Sequence, residues 1–324
     1  ETLIQKGEMK MENISGLFPK LQEERRRELL AIPSRKVDAV LDTDTFNEID
    51  DQFALSFAML AHESLNMKAV TAAPFFNRRS SSPADGMEKS YQEIGNVFRL
   101  LKRNPDGMVF RGSDSYLKDP LTPVDSEAAR RIVELARNAR AEGRILYVIG
   151  IGAITNVASA LLMEPAIIDS VVVVWLAGHA FDTIPNREFN LYQDVPASRV
   201  IFESGVPLVL IPCCGVAEIL MMTLPELKKR TASCGSLGAF LYERTVEFLG
   251  NDPTIQKVIW DIAAIACFDC PEAVHSRVIS APVLNPDASW TLTEDRHKIR
   301  LVHYLERGRI FNRLFERLES FARS

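Results

Sequence analysis

The chain has 324 residues, 47% of them hydrophobic and 25% charged, with 43 acidic against 38 basic side chains and a formal net charge of −5. That balance suits a folded protein with a large buried core and excludes a disordered one. The acidic surplus excludes the basic stripe of a nucleic-acid binder, since the one basic cluster, Arg25-Arg26-Arg27, is flanked by glutamates and reads as a solvated helix face.

Residues 1–35 are charged and weakly periodic, and read as an N-terminal arm with a helix near 21–31. The first strong strand is Val37 to Leu41, an apolar run ending at Asp42. A helix is expected from about Asp50, because Phe53, Ala54, Phe57, Ala58 and Ala61 recur at helical spacing. A strand over Met67–Ala73, a Ser- and Pro-rich loop to Asp85 and a helix over 87–102 follow. The next helix spans about 125–141, with Asp125 or Ser126 as its cap and Gly143 past its end. Ile145–Ile149 and Ser170–Ala177 are apolar strands separated by a helix over Ile154–Met163; Val195–Glu203 reads as helix and Val206–Ile211 as strand. After residue 224 the pattern becomes helical at 225–230, 237–248 and about 261–268, then β over 277–304, with a closing helix at 309–322. Fully apolar strands alternating with helices predict an α/β fold, with a mostly parallel central sheet covered on both faces. No linker or repeat divides 36–324, which is expected to be one domain.

Five cysteines at 213, 214, 234, 267 and 270 are odd in number and scattered, which argues against a disulfide framework and for a reducing, cytoplasmic setting. Cys267-Phe-Asp-Cys270 has redox spacing but no partner pair. No stretch approaches the ~18 apolar residues of a membrane helix.

The chemistry is concentrated in Val40-Leu-Asp42-Thr-Asp44-Thr-Phe-Asn-Glu48-Ile-Asp50-Asp51. These carboxylates lie between an apolar strand and a helix, where an open parallel sheet binds its ligands. Like charges so crowded disfavour ionisation unless a cation offsets them. An all-oxygen donor set without His or Cys suits a hard divalent ion, Ca²⁺ or Mg²⁺. Asp50 and Asp51 also suit the positive end of a helix dipole, which by itself would explain the pair.

The run Asp42-x-Asp44 … Asp50-Asp51 resembles the hallmark of the inosine-uridine nucleoside hydrolases. Three further blocks match in order: Gly152-Ala-Ile-Thr155-Asn156, Glu188-Phe189-Asn190 with Asp194, and Trp260-Asp261-Ile-Ala-Ala. The resemblance covers about residues 36–320. It departs between Asp44 and Asp50, which stand two positions further apart than is usual in the family.

The resemblance implies a hydrolase that cleaves the N-glycosidic bond of ribonucleosides, in purine or pyrimidine salvage, with Ca²⁺ and no organic cofactor. Asp44, Asp51 and Asp261 would ligate the Ca²⁺, with a backbone carbonyl near Ile151, and Asp44 would also take the proton of the attacking water. Asp50, Asn190, Glu188 and Asn77 would hold the ribose. Trp260 stands where purine-cleaving relatives carry a histidine acid, so stacking on the base is expected there, and His179 is a candidate to touch substrate. A homo-dimer or homo-tetramer is implied. Two other readings stand beside this one. Asp42-Thr-Asp44-Thr45 also resembles the nucleophile signature of haloacid-dehalogenase-type phosphatases, with Asp42 attacking phosphorus beside Mg²⁺. The missing acid also fits a non-catalytic nucleoside- or sugar-binding relative.

Overall fold

The computed structural model describes residues 14–250, 252 and 254–324. The expected arm thus lies partly outside the described residues. Within them its helix is α1, Glu23–Leu29, and it packs on the body: Leu29 and Leu30 are buried, and the Arg26 guanidinium donates to Gly205 O at 2.7 Å.

The first four apolar runs form β1 (Val37–Thr43), β2 (Leu65–Ala72), β4 (Leu146–Gly150) and β5 (Val171–Leu176). With β3 (Val109–Phe110), β6 (Leu208–Ile211), β9 (Val274–Ser280) and β12 (Lys298–Leu305) they make an eight-stranded sheet of order β3-β2-β1-β4-β5-β6-β12-β9. All neighbours pair in parallel except β12 with the edge strand β9. Alternate side chains feed two cores. Leu41, Ile149, Val174 and Leu176 face one side, and Val40, Val148, Val173 and Trp175 face the other. This two-sided burial is why the strands read as unbroken apolar runs.

Helix α2 (Asp50–Leu60) lies wholly inside the first core, with all 11 residues buried. It packs against α10 (Ile262–Asp269) and the closing helix α11 (Arg307–Arg323). The other helices are α3 (Pro83–Leu100), α4 (Glu127–Ala141), α5 (Thr155–Met163), α6 (Phe189–Gln193), α7 (Val195–Glu203), α8 (Leu224–Thr231) and α9 (Gly235–Leu249). Ser126 caps α4 by accepting from Ala129 N. Three short features escape the sequence pattern: β3, the five-residue α6, and an antiparallel ribbon of β7 (Met221–Thr223) with β8 (Gln256–Val258). The expected β region over 277–304 resolves into β9, β12 and a two-stranded pair, β10 (Val283–Leu284) with β11 (Trp290–Thr291). Among the described residues no helix is long and apolar enough to cross a membrane, and the five cysteines are free thiols.

The strand order reverses direction at β1 and β4, so their carboxyl ends open the crevice where such sheets bind ligands. The crevice is braced from behind. Asn156 Nδ2 donates to Asp42 Oδ1 (2.8 Å) and to Ala72 O (3.1 Å), while Asn156 Oδ1 accepts from Ser113 N (2.7 Å) and Ser113 Oγ (2.9 Å). Gly112 makes this possible, because a β-carbon there would collide with the Ala72 carbonyl and the Asn156 amide. Gly112→Ala should therefore destabilise the fold by about 1–3 kcal/mol, the cost of overpacking a close-packed site, as read by urea denaturation.

Candidate active site and metal centre

A cavity of about 230 Å³ opens at the carboxyl ends of β1, β4, β5 and β6. Its walls include Asp44, Asp50, Asp51 and Asp261, together with Ile151, His179, Glu188, Asn190 and Trp260. Nine of the ten site residues singled out in the sequence thus share one cavity. Asn77 does not line it: its Nδ2 donates to Asn47 Oδ1 at 2.6 Å, its Oδ1 accepts from Arg79 N, and Asn47 reaches the cavity in its place.

Two helix starts deliver the acidic floor. Asp50 and Asp51 form the first turn of α2, whose N-cap residue Ile49 makes no side-chain bond. The helix dipole there favours negative charge. Asp261 occupies the N-cap position of α10, but its side chain caps nothing. The ordinary explanation for an aspartate at a helix start therefore does not account for its carboxylate. Ligand oxygens of Asp50, Asp51 and Asp261 lie within 4.8 Å of one another. Asp44, at the end of β1, joins them by hydrogen bonding to Asp51, and Gly152 lets the chain after β4 press against Asp44. Thr43 Oγ1 donates to Asp51 Oδ1 at 2.6 Å.

The floor is electrostatically strained. Asp44, Asp50, Asp51 and Asp261 are each no more than 3% exposed. Burial, then the charges of its neighbours, pushes Asp44 well above the ordinary carboxylate range, and Asp261 likewise. Asp51 is pushed up to about 7 by burial and then by Asp50, partly offset by its bonds from Thr43 and Asp44. Asp44 Oδ2 is buried and has no hydrogen-bond partner. An orphaned carboxylate oxygen among converging carboxylates fits a hard cation held by oxygen donors.

Asp42 differs. It is fully buried, and Thr71 and Asn156 hold its Oδ1 at 2.6 and 2.8 Å. It does not reach the cavity wall, so the phosphatase reading, which needs Asp42 as an exposed nucleophile, has no geometric basis.

The opposite wall comes from the segment after β5. Glu188 caps α6, accepting from Gly178 N, Asn190 N and Leu191 N at 2.9 Å each. Asn190 Nδ2 donates to Leu176 O at 3.0 Å, which fixes its amide plane. Asp194 caps α7 and also accepts from Thr155 Oγ1 at 2.6 Å, so two of the sequence blocks are bonded to each other beneath the site. His179 Nδ1 accepts from Cys214 N at 3.3 Å, which leaves the proton of the neutral ring on Nε2. Burial, partly offset by Glu218, holds this histidine below its ordinary value and hence neutral near pH 7.

The whole arrangement matches a known family. The family model for inosine-uridine preferring nucleoside hydrolase aligns with residues 39–313. This chain belongs to that family. The pyrimidine-specific ribonucleoside hydrolase RihB of Escherichia coli is 33% identical over 103 residues, 31% of this chain and 33% of that protein. The match thus spans about a third of the length of that curated relative. The purine-preferring ribonucleoside hydrolase from Gardnerella vaginalis superposes with a TM-score of 0.69 at 20% identity, covering 88% of this chain and 99% of that one. The inosine-uridine preferring nucleoside hydrolase of Bacillus anthracis gives 0.67 at 15%, covering 88% and 99%. These structures share the fold of this nucleoside hydrolase family member.

Sequence reasoning missed Lys257, on β8. Its Nζ donates to Glu48 Oε2 (2.6 Å), Asp50 Oδ1 (2.9 Å) and Val258 O (2.7 Å). Burial alone would lower this lysine, but Asp50 and Glu48 outweigh it and hold the ammonium above its ordinary range. No motif marks it, since its two carboxylate partners lie more than 200 residues away in sequence. Cys213 and Cys214 also line the cavity and went unassigned.

Because Asp51 takes up a proton as the pH falls through about 7, protons and a cation compete for it. Binding of a divalent cation to this floor should therefore weaken as the pH falls from 8 to 6, by up to about tenfold per pH unit for each proton displaced. Calorimetric titration at pH 8, 7 and 6 reads this directly.

Proposed function

We propose that this chain hydrolyses the N-glycosidic bond of ribonucleosides, with Asp44, Asp51, Asp261 and the Ile151 carbonyl holding a Ca²⁺ ion. The observation that carries this reading is the partnerless, buried Asp44 Oδ2 beside Asp51 and Asp261 in a cavity at the sheet's switch point. When bound, the ion would supply the positive charge that makes a water more acidic and that attracts the ribose hydroxyls.

The rest of the chemistry belongs to the chain. Asp44 takes the proton of the attacking water, a role open to a carboxylate that faces the cavity and whose Oδ2 has no partner. Asp50, Glu188 and Asn190 accept or donate to ribose hydroxyls, and Glu188 is held for this by three backbone N–H groups. Positive charge developing on the sugar faces this fixed acidic floor, which stabilises an oxocarbenium-like transition state. Trp260 lines the cavity and is an aromatic side chain available to stack on the departing base. His179 offers a neutral Nε2–H, a hydrogen-bond donor to an acceptor atom of the base rather than a strong acid. The enzyme is expected to act as a homo-dimer or homo-tetramer, and light scattering at micromolar concentration should show no monomer.

Asp44→Asn keeps the side-chain shape but removes a charge and a proton acceptor. Turnover of uridine, inosine and p-nitrophenyl riboside should fall at least about 10²-fold, with folding preserved. Asp42→Asn should leave measurable activity, because Asp42 acts from behind the site. EDTA should abolish turnover and added Ca²⁺ restore it. A parent protein that turns over none of the three substrates in Ca²⁺ would overturn the proposal.

A further inference from the structure

The acidic floor offers a cation two overlapping sets of ligands. One, the set proposed above, is Asp44, Asp51 and Asp261, in which Asp44 is hydrogen-bonded to Asp51. The other is Asp50, Asp51 and Asp261, whose oxygens already lie within 4.8 Å of one another. Only Asp50 distinguishes the second set from the first in what else holds it. Both its oxygens are occupied by the segment around β8: Oδ1 accepts from Lys257 Nζ at 2.9 Å and Oδ2 from Trp260 N at 3.2 Å. Asp44 Oδ2, by contrast, has no partner.

Lys257 is built for this task. An ammonium has three protons, and all three are placed: on Asp50, on Glu48 Oε2 at 2.6 Å and on Val258 O at 2.7 Å. Its side chain is 7% exposed. Glu48 lies on the stretch between Asp44 and Asp50 that is two residues longer than the family pattern, so the lysine also anchors that longer loop.

We infer that Lys257 is a positioning residue that holds Asp50 out of the cation's ligand set and fixes it as an acceptor for a ribose hydroxyl. A unit positive charge against Asp50 repels a divalent ion from that carboxylate and leaves Asp44, Asp51 and Asp261 to share it. Asp50 then keeps one orientation, set by Lys257 on one oxygen and the Trp260 amide on the other. The inference rests on the function proposed above for the ribose-binding role of Asp50, but not for the competition between lysine and cation.

Lys257→Met separates this from a merely structural lysine, because two readouts should move in opposite directions. Ca²⁺ titrated calorimetrically into metal-stripped protein should bind roughly tenfold more tightly, since a neighbouring positive charge is gone and Asp50 is released as a further ligand. Turnover of p-nitrophenyl riboside in saturating Ca²⁺ should fall roughly 10²-fold in kcat/KM, chiefly through KM, because the sugar loses a fixed contact. Lys257→Arg, which keeps the charge, should return Ca²⁺ affinity to that of the parent. Asp50→Asn in the Lys257→Met background should cancel the gain in affinity. If Lys257→Met does not fold, Lys257→Gln removes the charge while keeping a hydrogen bond to Asp50, and the same comparison is made on it. Ca²⁺ affinity unchanged or weakened in a folded charge-removing variant overturns the inference. A parent that binds Ca²⁺ but hydrolyses no nucleoside overturns the proposed function alone, since the affinity comparison still decides the role of the lysine. A parent that binds no Ca²⁺ overturns both.

Discussion

Burial of four aspartates around one small volume is the constraint on which the rest of this structure depends. Asp44, Asp50, Asp51 and Asp261 are almost completely removed from water, and burial together with neighbouring charges makes Asp44, Asp51 and Asp261 costly to ionise. Such a cluster is tolerable when opposing charge is supplied at the same place. The chain supplies part of it through two helix N-termini and one ammonium, and leaves Asp44 Oδ2 unsatisfied. The fold holds the cluster in place against its own repulsion, and the remaining deficit is what a divalent cation would fill.

Much of the surrounding machinery exists to keep that cluster rigid. Asp42 does no cavity chemistry; it is a buried strut, gripped by Thr71 and Asn156. Asn156 in turn ties β2 and the Ser113 loop to it. Thr155 and Asp194 join the wall after β4 to the wall after β5, and Asp194 also accepts from Leu117 N at 2.9 Å. Residues of this kind carry family sequence patterns without touching a ligand, because a site of fixed charges works only when its geometry does not relax. Glu188 illustrates both duties at once, capping a five-residue helix while presenting a carboxylate to the cavity.

The two faces of the site have different chemical characters. The floor is carboxylate and oxygen-rich, suited to a hard ion and a sugar diol. The mouth carries Trp260, His179, Cys214 and Arg187, a more varied group suited to a flat, heteroatom-bearing base. The Cys214 amide donates to His179 Nδ1 and so leaves the proton of the neutral ring on Nε2.

The alternation of apolar strands with helices along the chain, the helix that starts at Asp50 and the acidic run itself are legible in the sequence, because they follow from local periodicity and from a dense patch of one chemistry. Fully apolar strands announce a parallel sheet, and Asp42 to Asp51 lie at a strand end where such a sheet binds. What only the tertiary structure decided are relations between distant segments. Asp42 and Asp44 are two residues apart, and strand alternation alone would put both on one face; β1 ends at Thr43, so Asp44 leaves the strand and faces the cavity while Asp42 stays inside against Thr71 and Asn156. Asn77 sits near the end of the right strand, but local bonds to Asn47 and Arg79 take its side chain away from the cavity. Lys257 was invisible, being one lysine in a three-residue strand with no periodicity, whose meaning comes wholly from the two carboxylates it meets across the fold. Sequence patterns record which residues a chain keeps close along itself; the pairing of buried charges depends on which ends the folded chain brings together.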